Sequence, residues 1–139
     1  MKRVLSLAAA FMAIAVSLPA SAQSPIQSLW LNPRRTVAVR TGDCAGKLCG
    51  WIVWAAAQAR ADARDSGIDQ LIGIELLENY AIDDRGGWSG RVYVPDMDRD
   101  FSSTITQRSA TELKVEGCLI GGFICKSQLW ERIEQVPHA

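Results

Sequence analysis

The groups with which this chain could do chemistry are four cysteines, a single histidine and several closely spaced carboxylates. Cys44 and Cys49 flank Ala45-Gly46-Lys47-Leu48, and a two-residue type II′ turn at Gly46-Lys47 would set them opposite each other. Cys118 and Cys125 flank a turn at Gly121-Gly122 that pairs Leu119 with Ile124 and the two cysteines with each other. Directly opposed residues of a non-hydrogen-bonded pair have Cα atoms roughly 4.5 Å apart, a separation that a disulfide spans. Among the connectivities open to four cysteines we therefore prefer two hairpin-local disulfides. Such short loops pin register more than they add stability. Zinc would need tighter cysteine knuckles or histidine partners, and His138 is next to the last residue. No metal or other cofactor is expected.

The carboxylates give weaker signals. Asp96, Asp98 and Asp100 have the alternating spacing of a calcium loop, but Phe101 and Gln107 stand where that loop needs Gly and Glu. A solvated turn is the better reading. Ser102, Ser103 and Thr104 lack an internal histidine to act as base. Glu75 with Glu78, and Glu112 with Glu116, could form acid pairs, though charge on an exposed face is the simpler account. Glu75 differs because apolar residues flank it on both sides, so pointing inward it would be a polar anchor in a cavity. None of these patterns predicts an enzyme.

These groups need a scaffold, and export defines its limits. Lys2 and Arg3 precede an apolar stretch from Val4 to Leu18, and Ala20-Ser21-Ala22 supplies the small residues of a cleavage site. Residues 1–22 read as a signal peptide and residues 23–139 as one domain, periplasmic or secreted, with no transmembrane anchor after cleavage. An oxidising compartment agrees with the cysteine pairing. The 15 basic and 15 acidic residues cancel, which argues against a nucleic-acid partner.

From Trp30 onward the pattern is mostly strands. Thr36 to Arg40 alternates, Leu48 to Trp54 returns, and the Ala-rich Ala55 to Ser66 reads as a short helix or lid. Leu71 to Leu77 is apolar enough for a buried strand, and Asp83 to Gly87 is a turn. Trp88 to Val94, Phe101 to Arg108, Glu112 to Ile120 and Phe123 to Ile133 complete a meander. About seven strands result, or eight if Ile26 to Leu31 adds one, and closure into an all-β antiparallel up-and-down barrel would satisfy their edges.

Ser28-Leu29-Trp30-Leu31, Asp43 through Gly50 with Ile52-Val53-Trp54, Gly90-Arg91-Val92-Tyr93 with Pro95, Leu113 through Cys118, and Cys125 through Trp130 occur in that order. Together they resemble the signature of the bacterial family called domain of unknown function 2147. The resemblance implies a lipocalin-like barrel of exported proteins without an assigned activity. It also implies that Trp30 on the first strand packs under Arg132 of the last, closing one end. Two places depart from the family pattern: Ala61 to Gln70 lacks the usual Asn and Pro, and Trp51 replaces a common basic residue.

On this barrel the inward residues would be Val37, Val39, Gly50, Ile52, Trp54, Ile72, Ile74, Leu76, Val92, Val94, Ile105, Leu113, Val115 and Trp130. With five tryptophans in the chain, we expect a small apolar or amphipathic ligand held inside, with Trp54, Trp88 and Trp130 as cavity wall. Trp51 should point outward, either packed under the Ala55 to Ser66 segment or forming a patch for an envelope protein partner. An interaction or inhibitor module is thus the alternative function.

Overall fold

The computed structural model describes residues 15–17, 26–119 and 124–138. The expected signal peptide, apart from residues 15–17, and the Gly121-Gly122 turn lie outside the described residues. Eight strands form a closed antiparallel barrel in sequence order: β1 (Leu29–Leu31), β2 (Val37–Cys44), β3 (Lys47–Ala55), β4 (Glu75–Ile82), β5 (Trp88–Val94), β6 (Arg99–Gln107), β7 (Glu112–Leu119) and β8 (Ile124–Ile133). One helix, α1 (Ala57–Asp65), lies between β3 and β4, and a 3₁₀ turn, Pro95–Met97, joins β5 to β6. The up-and-down order puts α1, that turn and the β1–β2 loop at one end of the barrel. The β2–β3, β4–β5 and β6–β7 turns occupy the other.

The core fills that second end. Trp30, Leu48, Tyr80, Ile105 and Leu113 are all buried in one cluster. Trp30 is fully buried, and its indole N–H donates to Ile26 O and Thr41 Oγ, both at 3.1 Å, so its polar edge is satisfied. Thr41 Oγ in turn donates to Ile26 O, tying the segment before β1 to β2. Glycines make room for this packing. A methyl on Gly90 would come within 2.7 Å of the Tyr80 ring and of Glu78 O, and one on Gly50 within 2.8 Å of Leu77.

Both expected disulfides are present, Cys44–Cys49 and Cys118–Cys125. The second hairpin has the expected register, with Cys118 opposite Cys125 and Leu119 opposite Ile124. The first is shifted by one residue. Its turn is Ala45-Gly46 rather than Gly46-Lys47, with positive φ at both (53° and 82°), as a type I′ turn requires. Cys44 therefore faces Lys47, and Cys49 faces Gly42. Cys44 and Cys49 still share a face and are bridged along the diagonal, where Gly42 offers no side chain to obstruct them.

Two further expectations change. The fourth strand runs over Glu75–Ile82, not Leu71 to Leu77, and Ile72 is exposed. Gly73, with φ 97°, turns the chain, and its N–H donates to Ile52 O at 2.7 Å before the ladder proper begins. In β3 the alternation also slips. Val39 pairs with Ile52 and Ala38 with Trp54, leaving Val53 as an extra residue. The bulge turns Trp54 to the outer face, where it packs with Leu29, Leu31 and Ala38.

Candidate functional site

A cavity of about 590 Å³ occupies the α1 end of the barrel. The side chains that the strands turn inward here are small: Val37 from β2, Val92 and Val94 from β5, and Val115 and Gly117 from β7. Space remains that the bulky residues fill at the other end. Ile52 and Trp130, both buried, line its deeper part, while Phe101 and Leu76 add apolar wall. α1 lies across the mouth. It is Ala-rich, and Ala59 and Ala63 let it approach closely enough to join the core cluster. Gln58 and Asp62 line the cavity from the same helix, the Gln58 amide donating to Asp62 Oδ1 at 2.7 Å.

The rest of the rim is formed by β8 and by the β1–β2 loop, whose Thr36 O accepts from the Ala56 N–H that caps α1 at 2.8 Å. Asn32 builds the loop by accepting from the N–H groups of Thr36 (2.8 Å) and Val37 (3.0 Å) through its side-chain oxygen. That closure brings Arg34 to the cavity. On β8, Lys126 faces Gly117 and Gln128 faces Val115 across the ladder, so both belong to the inward face. Gln128 Oε1 accepts from the Trp130 indole N–H at 2.9 Å, which fixes the ring at the base.

Of the expected cavity tryptophans, only Trp130 lines this space. Trp54 is outside the barrel for the reason given above, and Trp88 is packed at the filled end, opposite Ile105. Glu75 is not an inward anchor. It pairs with outward Trp51, because Leu76 is an extra residue between the Gly50–Leu77 and Trp51–Glu75 pairs. Its carboxylate lies beside the Cys44–Cys49 sulfurs, whose bond to each other leaves no thiolate for a metal. Trp51 stands half-buried between Arg40 and Glu75 in the ladder, over Gly42, and not under α1. Trp30 and Arg132 are brought together as directly opposed partners of β1 and β8.

The remaining acids have local roles. Glu78, outward on β4, is held above the usual carboxylate range by burial first and then by Asp100 and Glu75, with Arg91 opposing. Asp98 takes a hydrogen bond from the Tyr93 hydroxyl at 2.9 Å, which raises the pKa of that phenol, while Asp100 pairs with Arg91. The three aspartates thus do not converge on one point. Glu112 and Glu116 pair with Arg108 (3.4 Å) and Lys114 (3.5 Å). Ser103 is buried and donates to Glu116 O at 2.7 Å, an engaged hydroxyl rather than a poised nucleophile. Sequence reasoning missed Arg34, Asp62, Asp96 and Lys126, which reach the cavity from four separate elements. Lys126 alone carried a signal, through its alternation with Gln128 and Trp130.

A closed eight-stranded antiparallel barrel with one end filled and a cavity at the other is the architecture of the lipocalin-like proteins. The fold is similar to that of protein HP1028 from the human pathogen Helicobacter pylori, described as belonging to the lipocalin family, with a TM-score of 0.60. That likeness covers 78% of this chain and 83% of the other at 12% sequence identity. The family model described as "Uncharacterized protein conserved in bacteria (DUF2147)" matches residues 28–132, and the chain belongs to that family. Comparison with curated proteins finds no match. The two disulfides suit an oxidising compartment, and among the described residues no helix is long and apolar enough to cross a membrane.

Proposed function

We propose that this protein is a non-enzymatic binding module that holds a small apolar or amphipathic ligand in its barrel, in the periplasm or outside the cell after removal of residues 1–22. The observation that carries this reading is the cavity of about 590 Å³ with Trp130 and Ile52 at its base. Its volume falls among those of ligand sites, roughly 300–1,000 Å³, and its walls are apolar with a few polar groups at the rim. The lipocalin-like fold supports it, since barrels of this size either fill or hold one small ligand, and this one does each at a different end. Export is supported by the Lys2-Arg3 start, the apolar stretch and the two disulfides.

Titration of the purified protein with a panel of fatty acids of increasing chain length tests the reading through tryptophan emission. A saturable change is expected, and Trp130→Phe should remove most of it while the other four tryptophans remain. Unchanged emission and no calorimetric heat with every chain length would overturn it.

A further inference from the structure

Four charged side chains line the cavity, and the barrel order sorts them by sign. Arg34 belongs to the β1–β2 loop and Lys126 to β8, and β1 and β8 are hydrogen-bonded neighbours. By barrel order the two cations therefore lie on the β8–β1–β2 side, the β1–β8 pairs themselves falling at Glu131–Ile133, further along the strand from Lys126. Asp62 belongs to α1 and Asp96 to the 3₁₀ turn, and these two elements touch each other. By barrel order the two carboxylates therefore lie on the β3–β6 side, α1 starting against the β1–β2 loop through the Ala56 N–H to Thr36 O bond (2.8 Å) and reaching the 3₁₀ turn. Among the described residues, no ion pair within 4.0 Å joins any of the four, as it would if cations and carboxylates met across the opening. The remaining polar groups on the lining are neutral, Asn32, Thr36, Gln58 and Gln128 among them.

From this sorting we propose that the cavity takes a single-chain zwitterionic amphiphile. The proposal rests on the binding reading above and names its ligand class. The tail lies against Trp130, Ile52 and Val115, and the head sits across the mouth. Its anionic group faces Arg34 and Lys126, and its cationic group faces Asp62 and Asp96. A ligand with one charge would satisfy one side and leave the other facing either a like charge or an empty rim. A wholly neutral tail would use neither. The volume of about 590 Å³ suits one aliphatic chain and is too small to enclose both chains of a two-chain lipid.

Calorimetry with three probes of equal chain length below their micelle concentrations decides the matter: dodecylphosphocholine, dodecanoate and dodecyltrimethylammonium. The zwitterion is expected to bind about tenfold tighter than either singly charged probe. Arg34→Gln with Lys126→Gln should move the preference to the cationic probe, and Asp62→Asn with Asp96→Asn should move it to dodecanoate. All four positions are exposed, so these variants keep the core intact, and circular dichroism verifies that they do. Equal affinity for the three probes, unmoved by either pair of substitutions, overturns the head-group assignment and leaves the cavity reading standing. Binding of none overturns both.

Discussion

At its filled end the barrel turns Trp30, Leu48, Tyr80 and Ile105 inward, whereas at its α1 end it turns inward Val37, Val92, Val115 and Gly117. The strands are the same, so the difference lies in side-chain volume and not in backbone geometry. Tyr80 illustrates the cost of filling. It is fully buried, and burial drives the pKa of its hydroxyl up, with the neighbouring Ser103 hydroxyl opposing. Among the described residues, those lining the cavity include no buried polar side-chain atom without a hydrogen-bond partner. Its polar groups stay at the rim, in reach of water, and its apolar groups form the base. One end is filled and the other leaves a cavity.

The largest expected break in that contrast comes from Trp30→Ala. It removes the centre of the filled end, and unfolding in urea should show a loss of about 3–5 kcal/mol. A loss below about 1 kcal/mol would mean that this end does not carry the fold. Next come two glycines. Gly90→Ala forces a methyl to within 2.7 Å of the Tyr80 ring and of backbone oxygen, and should cost about 1–3 kcal/mol. Gly117→Ala places its methyl no nearer than 3.4 Å to Val92 and should stay within about 0.5 kcal/mol of the parent. Equal effects at the two positions would erase the distinction between filled and open ends.

The smallest effect concerns the β4–β5 turn at the filled end. Asp83 accepts from the N–H groups of Arg85 (2.9 Å) and Gly87 (3.0 Å) and from the Ser89 hydroxyl (3.1 Å). The Arg85 hydrogen bond is the main cause of its lowered pKa, with Gly87 and Ser89 adding to it. An acid whose folded pKa is depressed contributes stability that is complete above its unfolded pKa and is lost as pH falls through the folded one. The stability gap between the parent and Asp83→Asn should hold at neutral pH and close as pH drops below about 4. A gap independent of pH would mean that the charge of the Asp83 carboxylate plays no part in the turn's stability.

Much of the barrel could be read from alternation and turn residues, because each hairpin is local. The Cys118–Cys125 register follows from counting back from the Gly-Gly pair. At two places a single inserted residue broke the alternation. Val53 reverses Trp54, Leu76 shifts the register between Glu75 and Leu77, and neither bulge has a marker in residue type. The first turn chose Ala45-Gly46 because both residues take positive φ, a conformation that Gly announces and Ala conceals. The candidate site was less legible still. Trp130 could be placed by period, but the charged rim comes from a loop, a helix, a 3₁₀ turn and a strand that only closure brings together.

That closure rests on three residues. Leu29, Trp30 and Leu31 pair with β2 on one side and with Ile133, Arg132 and Glu131 of β8 on the other, so the earliest strand of the barrel is joined to the last. In a chain made from its N-terminus, the two disulfide hairpins can form as soon as each emerges, but the seam must wait until β8 exists. Until then Trp30 lacks the strand that completes its surroundings, and the cavity lacks Lys126, Gln128 and Trp130. The cavity wall is therefore completed only when the last strand is in place, and a protein cut short before Ile124 would have neither the seam nor the β8 wall.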